Sequence, residues 1–180
     1  MRKEWIGGMA AFLFLIATWM GSGAAAGMRT RVMVRAFSRD AMAIGNLVGG
    51  ARITIRDVTT GKVLAKGIQK GGAGNKELIM IRPRERGAKV FGTPGTAGFL
   101  ARLMLEQPTV VEVTAEGPLD TPQSTQRVSK TLLLVPGQDV LGEGILLEIH
   151  GLTVTLLAPR SDARLSAGSQ LNVRATVKTT

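Results

Sequence analysis

The stretch Gly50-Ala-Arg-Ile-Thr-Ile-Arg-Asp57-Val-Thr-Thr-Gly61-Lys-Val-Leu-Ala-Lys-Gly67 decides the fold class. From Ala51 to Arg56 apolar and polar residues alternate. Ile53 and Ile55 fall on one side and Arg52, Thr54 and Arg56 on the other, the period of a half-buried strand. Asp57-Val-Thr-Thr-Gly61 then reverses the chain, because Asp and Thr side chains bond the local backbone and glycine supplies positive φ. Lys62-Val-Leu-Ala-Lys66 reads as the returning strand, so residues 50–68 are expected to form a β-hairpin.

The same alternation appears upstream. Thr30, Val32, Val34 and Ala36 share one face, and Arg29, Arg31, Met33 and Arg35 the other, which makes a strand with a basic outer side. An irregular connection from Asp40 to Val48 leads to Gly49-Gly50. Downstream, residues 69–75 are rich in glycine and read as a flexible loop. The apolar run Leu78-Ile-Met-Ile81 reads as a short strand. Arg82-Pro-Arg84-Glu-Arg86-Gly87 reads as an exposed loop. Further strands are expected over Phe99 to Leu105, Thr109 to Ala115 and Val128 to Val135. Pro94, Pro108, Pro118, Pro122 and Pro136 bound them, since proline cannot donate within a central ladder. Short strands spaced by turn residues predict an all-β, antiparallel sandwich of the immunoglobulin/transthyretin type.

The hairpin of residues 50–67 resembles the opening of the carboxypeptidase regulatory-like, or transthyretin-like, domains, where a strand, a D-x-x-T-G turn and a second strand begin a sandwich. The resemblance implies a module for folding support, surface display or binding, and it carries no catalytic residues over. Leu152-Thr-Val-Thr-Leu-Leu-Ala-Pro159 and Gly168-Ser-Gln-Leu-Asn-Val-Arg-Ala-Thr-Val177 resemble the first two strands of a bacterial immunoglobulin-like domain. Three arrangements are open for them: completion of the first sandwich, pairing with another chain, or the start of a unit whose remainder lies beyond Thr180. The expected organisation is therefore an N-terminal segment 1–26, a sandwich 27–136 and C-terminal strands 137–180.

The N-terminal segment carries the compartment. Arg2 and Lys3 precede an uncharged run from Trp5 to Ala26, and Gly23-Ala-Ala-Ala-Gly27 offers the small residues a signal peptidase accepts. Cleavage after Ala26 gives a soluble product; retention gives a hydrophobic helix that tethers it, because about 20 apolar residues cross a bilayer. In both cases the remainder is expected on the periplasmic or extracellular side of the membrane.

The chain has 180 residues, 23 Lys and Arg against 13 Asp and Glu, one His and no Cys. Without cysteine there is no disulfide framework, thiolate zinc site or thiol nucleophile. The first four residues contribute only one unit of the net +10, so the excess belongs to the exported part. Such a body is attracted to anionic lipid head groups, envelope polymers or acidic protein surfaces. Export argues against nucleic acid as a partner.

Motifs for chemistry are sparse. His150 reads as a turn histidine, with no G-x-S-x-G elbow to supply a nucleophile. Asp139, Glu143 and Glu148 lack the alternate spacing of a calcium loop and read as a solvated turn. Gly71-Gly-Ala-Gly74 lacks the Lys-Ser/Thr of a P-loop. Met28, Met33, Met42, Met80 and Met104 have no repeated spacing and read as core filling. No catalytic, metal or cofactor residues are expected. Arg29, Arg31, Arg35, Arg52, Arg56, Arg82, Arg84 and Arg86 are the expected partner-binding set.

The expectation is thus a non-enzymatic exported sandwich, an accessory or scaffolding subunit of an envelope or membrane protein complex. The alternative is a binding module for an anionic envelope polymer or polysaccharide, whose aromatic platforms are restricted to Phe37, Phe91 and Phe99 in the exported part.

Overall fold

The alternation of residues 29–36 becomes strand β1 (Met28–Ser38), with Val32, Val34 and Ala36 fully buried on one side. The computed structural model describes residues 26–39, 42–150 and 152–179. The hydrophobic helix expected before the sandwich lies outside the described residues.

β1 is the middle strand of a three-stranded sheet. It pairs antiparallel with β4 (Phe99–Leu105) and parallel with β7 (Val140–Ile149). The expected hairpin forms as β2 (Arg52–Asp57) and β3 (Val63–Ile68). With β5 (Thr109–Gly117) and β6 (Gln126–Leu134) it makes a four-stranded antiparallel sheet in the order β3-β2-β5-β6. The two sheets bury their apolar sides against each other. Val32, Val34, Leu103 and Leu147 from one meet Ile53, Ile55, Val111 and Val113 from the other in one cluster. Each such side chain contributes about 1.5–3 kcal/mol when fully removed from water. The fold is therefore an all-β sandwich, antiparallel in every ladder of these two sheets except β1/β7.

Local chemistry fixes the hairpin. The Asp57 carboxylate accepts from the Thr59 and Thr60 amides at 2.8 and 3.3 Å and from the Thr60 hydroxyl at 2.7 Å. Gly61 adopts φ 71°, the left-handed region where a side chain is strained.

β7 reaches the first sheet from the end of β6, so it starts at the same end of the sandwich as β1 and runs parallel to it. Its register slips between Val140 and Ile145, where Gly142 and Gly144 take φ 71° and 74°. A Cβ on Gly144 would clash with the Met33 carbonyl oxygen, so glycine is required for the bulge to lie against β1.

The apolar run at 78–81 is a correction to the sequence reading. Residues Glu77–Ile81 form a helical turn, not a strand. The Asn75 side chain accepts from the Leu78 amide at 3.2 Å and the Arg82 amide closes onto the Glu77 carbonyl at 2.8 Å. A four-residue apolar run carries no period of its own, so the local bonds decide.

This turn belongs to a long connection, residues 69–98, that folds over half of the outer face of the three-stranded sheet. Phe37, Ala43, Ile79, Val90 and Ala97 form a second, smaller core there. Gln69 ties the start of this connection to β1. β4 begins opposite Val34, and beyond that point residues 42–44 take the antiparallel place, with Phe37 opposite Ala43 and the Ile44 amide on the Ala36 carbonyl at 3.0 Å. The fully buried Gln69 side chain completes this edge: its Oε1 accepts from the Ala36 amide at 2.7 Å, and its Nε2 donates to the carbonyls of Ala36 and Ile44 at 2.9 and 3.0 Å.

The C-terminal strands β8 (Leu152–Ala158) and β9 (Arg174–Thr179) pair with each other in a separate two-stranded ribbon, and β8 passes the short turn Pro122–Ser124.

Candidate interaction surfaces

The eight arginines expected to bind a partner fall into four environments. Arg35 is removed from the set. It points to the outer side of β1, but the 69–98 connection covers it, and its exposure is 7%. Its Nη1 donates to the carbonyls of Thr96 and Ala97 at 2.9 and 2.8 Å. Its Nε is buried without a partner. Burial pushes its pKa down, with the charge of Glu143 acting in the opposite direction. Arg35 therefore fastens the connection onto the sheet.

Arg52 and Arg56 lie on the outer face of the four-stranded sheet, each directly opposite a glutamate. Glu116 stands between Arg52 and Arg127 in register, with N···O distances of 3.2 and 3.8 Å. Arg56 is opposite Glu112 and donates to the Gly61 carbonyl at 3.0 Å. Opposite charges across strands support the sheet and leave little field for a partner.

Arg29 and Arg31 lie on the uncovered half of the three-stranded sheet's outer face. Arg31 makes a forked pair with Asp139, Nε to Oδ2 at 2.9 Å and Nη2 to Oδ2 at 2.6 Å, while its amide donates to Oδ1 at 2.7 Å. These bonds hold the Asp139 carboxyl below its ordinary range. In register across β1/β4, Arg31 faces Arg102 and Arg29 faces Met104. Neither Arg102 nor Met104 was in the expected set, although the alternation of residues 99–105 already turns both outward.

Arg82, Arg84 and Arg86 are exposed on the connection. Arg82 pairs with Glu77 at 2.8 Å. Arg84 stacks on the Phe91 ring, 5.0 Å from its centroid, and Phe91 meets Phe37 edge-on at 4.5 Å. These groups, with Ser38, Leu146, Leu147 and Glu148, line a cavity of about 180 Å³. The structure thus joins two of the three phenylalanines that follow residue 26 to one of the nominated arginines. Just beyond, the Arg39 guanidinium lies 3.2 Å from His150 Nδ1.

The acidic residues read as one solvated turn are separated by the fold. Asp139 holds Arg31. Glu143 accepts from the Phe91 and Gly92 amides at 2.8 and 2.9 Å and anchors the connection to the β7 bulge. Glu148 borders the cavity. Among the described residues no group of three or more such side chains could hold a metal ion. The methionines divide too: Met33 and Met42 are half-buried, while Met28, Met80 and Met104 are exposed and do not fill core.

The β8/β9 ribbon has its sides inverted. Val154, Leu156, Ala175 and Val177 share one face by register and are exposed, at 48, 56 and 57% for Val154, Leu156 and Val177. Thr155 and Thr176, opposite one another on the other face, are half-buried. No protein-family model matches the chain, and neither a curated protein nor a solved structure shows a significant match to it.

Proposed function

We propose that the chain is a non-catalytic, exported β-sandwich module that serves as an accessory or scaffolding subunit of an envelope or membrane protein complex. One observation carries the reading: the β8/β9 ribbon turns Val154, Leu156 and Val177 to solvent on one face, with Thr155 and Thr176 half-buried on the other. A lone two-stranded ribbon is marginal in water, and an apolar face with free strand edges is a docking element for another chain. The transthyretin-like look of the 50–67 hairpin and the immunoglobulin-like look of the C-terminal strands agree with a binding module. The uncharged run before Gly27 supplies export.

Extraction in mild detergent tests it. The wild-type chain is expected to come out with a stoichiometric protein partner, and Leu156→Lys is expected to release that partner while leaving the melting of the sandwich unchanged. Recovery of the wild type as a free monomer at every salt concentration overturns the reading. A second reading, binding of an anionic envelope polymer, is favoured by the cavity beside Phe91 and Arg84. It requires that retention on such a polymer fall steeply with salt and with Arg84→Glu.

A further inference from the structure

The uncovered half of the three-stranded sheet's outer face costs the fold stability. Arg31 and Arg102 stand directly opposite each other across β1/β4, and like charges in register are unfavourable. Asp139 answers Arg31 alone. Arg29 and Arg102 form no ion pair among the described residues, and Glu106 only borders the patch beside Gly27. Between these arginines lies Met104, 65% exposed. Guanidinium groups around a flexible apolar side chain make a surface that suits an interface between water and lipid. The face also sits where the chain would bring it to one. β1 starts at Met28, two positions after the uncharged run Trp5 to Ala26. The hairpin tip with exposed Val58 stands at the same end, since the Val58 amide bonds the Val110 carbonyl beside the start of β5.

We propose that Arg29, Arg31, Arg102 and Met104 form a docking face for anionic phospholipid head groups, laid on the membrane by the apolar run that precedes β1. The proposal rests on the reading of the chain as exported, adds that the run before β1 is retained as an anchor, and does not depend on the ribbon's partner. Each arginine near an anionic leaflet is worth about fivefold in surface affinity.

The full-length chain has no cysteine, so a single fluorophore can be placed by Met104→Cys, or by Ser129→Cys on the opposite sheet as a control. The labelled chain is reconstituted in phosphatidylcholine vesicles with and without phosphatidylglycerol, with a head-group nitroxide lipid as quencher. Quenching at position 104 is expected to exceed that at 129 at least about threefold when phosphatidylglycerol is present. The Arg29→Glu/Arg102→Glu variant is expected to erase the difference. Equal quenching at the two positions, or quenching indifferent to charge reversal, overturns the docking face while the ribbon's role stands. A chain that leaves the vesicles in high salt overturns the anchor, because salt screens charge contacts and not an apolar insertion, and the docking face is then decided by the quenching difference alone.

Discussion

On the outer face of the four-stranded sheet, Arg52, Glu116 and Arg127 lie across three strands in one row, whereas on the three-stranded sheet Arg31 lies opposite Arg102. Both faces are rich in arginine, yet only the second sets like charges directly opposite each other. The first spends its arginines on its own ladder. The second is divided: half is sealed under the 69–98 connection, with Arg35 and Gln69 as its fastenings, and half is left open with like charges in register. The comparison teaches that the partner-binding value of an arginine is set by what stands beside it across the strands, and not by its outward direction alone.

The largest expected effect breaks the sealed half. Gln69→Leu removes the partner of the Ala36 amide and of the Ile44 carbonyl, while the Ala36 carbonyl keeps the Ile44 amide, and it is expected to cost about 3 kcal/mol in denaturant unfolding. A loss below about 1 kcal/mol would mean that water reaches these groups.

A smaller effect sharpens the contrast between the faces. Arg102→Glu places opposite charges in the Arg31 row and is expected to stabilise the fold by about 0.5 kcal/mol. Glu116→Gln strips Arg52 and Arg127 of their shared acid and is expected to destabilise it by a similar amount, about 0.5 kcal/mol. Thermal melts that move in the same direction for both variants would sink the comparison.

The smallest effect is in pH. The Arg31 bonds hold the Asp139 carboxyl below its ordinary value of 3.8. Between the lowered value and 3.8 the unfolded chain binds more protons than the folded one, so stability is full above this window and is lost as pH falls through it. Melts of the wild type are therefore expected to drop more between about pH 5 and about pH 3 than those of Asp139→Asn. Equal acid sensitivity would show that the pair contributes nothing to the open face.

The sandwich strands before residue 135 were legible because each shows a two-residue period bounded by turn residues. β7 falls within the C-terminal strands expected over 137–180 but was not delimited, because Gly142 and Gly144 interrupt the alternation just where the strand bulges around Met33. The helical turn at 77–81 was misread because four consecutive apolar residues fit either conformation. The burial of Arg35 was invisible for a different reason: its cover comes from Thr96 and Ala97, 61 and 62 positions away. The cavity was beyond reach for the same reason, since Phe37, Arg84, Phe91 and Glu148 meet only after two strands and a long connection have folded. The open arginine row was within reach, because the period of residues 99–105 already turns Arg102 outward beside β1.

The parallel pairing of β1 with β7 has a consequence in time. Phe37 pairs with Glu148, which lies 111 positions downstream (148 − 37). At about 5–20 residues per second that interval takes roughly 6–22 s to synthesise. During it one edge of β1 has no strand to receive it, and an open edge is a template for wrong pairings. Contacts this distant in sequence also slow refolding, because a long loop must close before the ladder can form. For a chain that emerges N-terminus first, the safety of its first strand depends on how soon its seventh arrives.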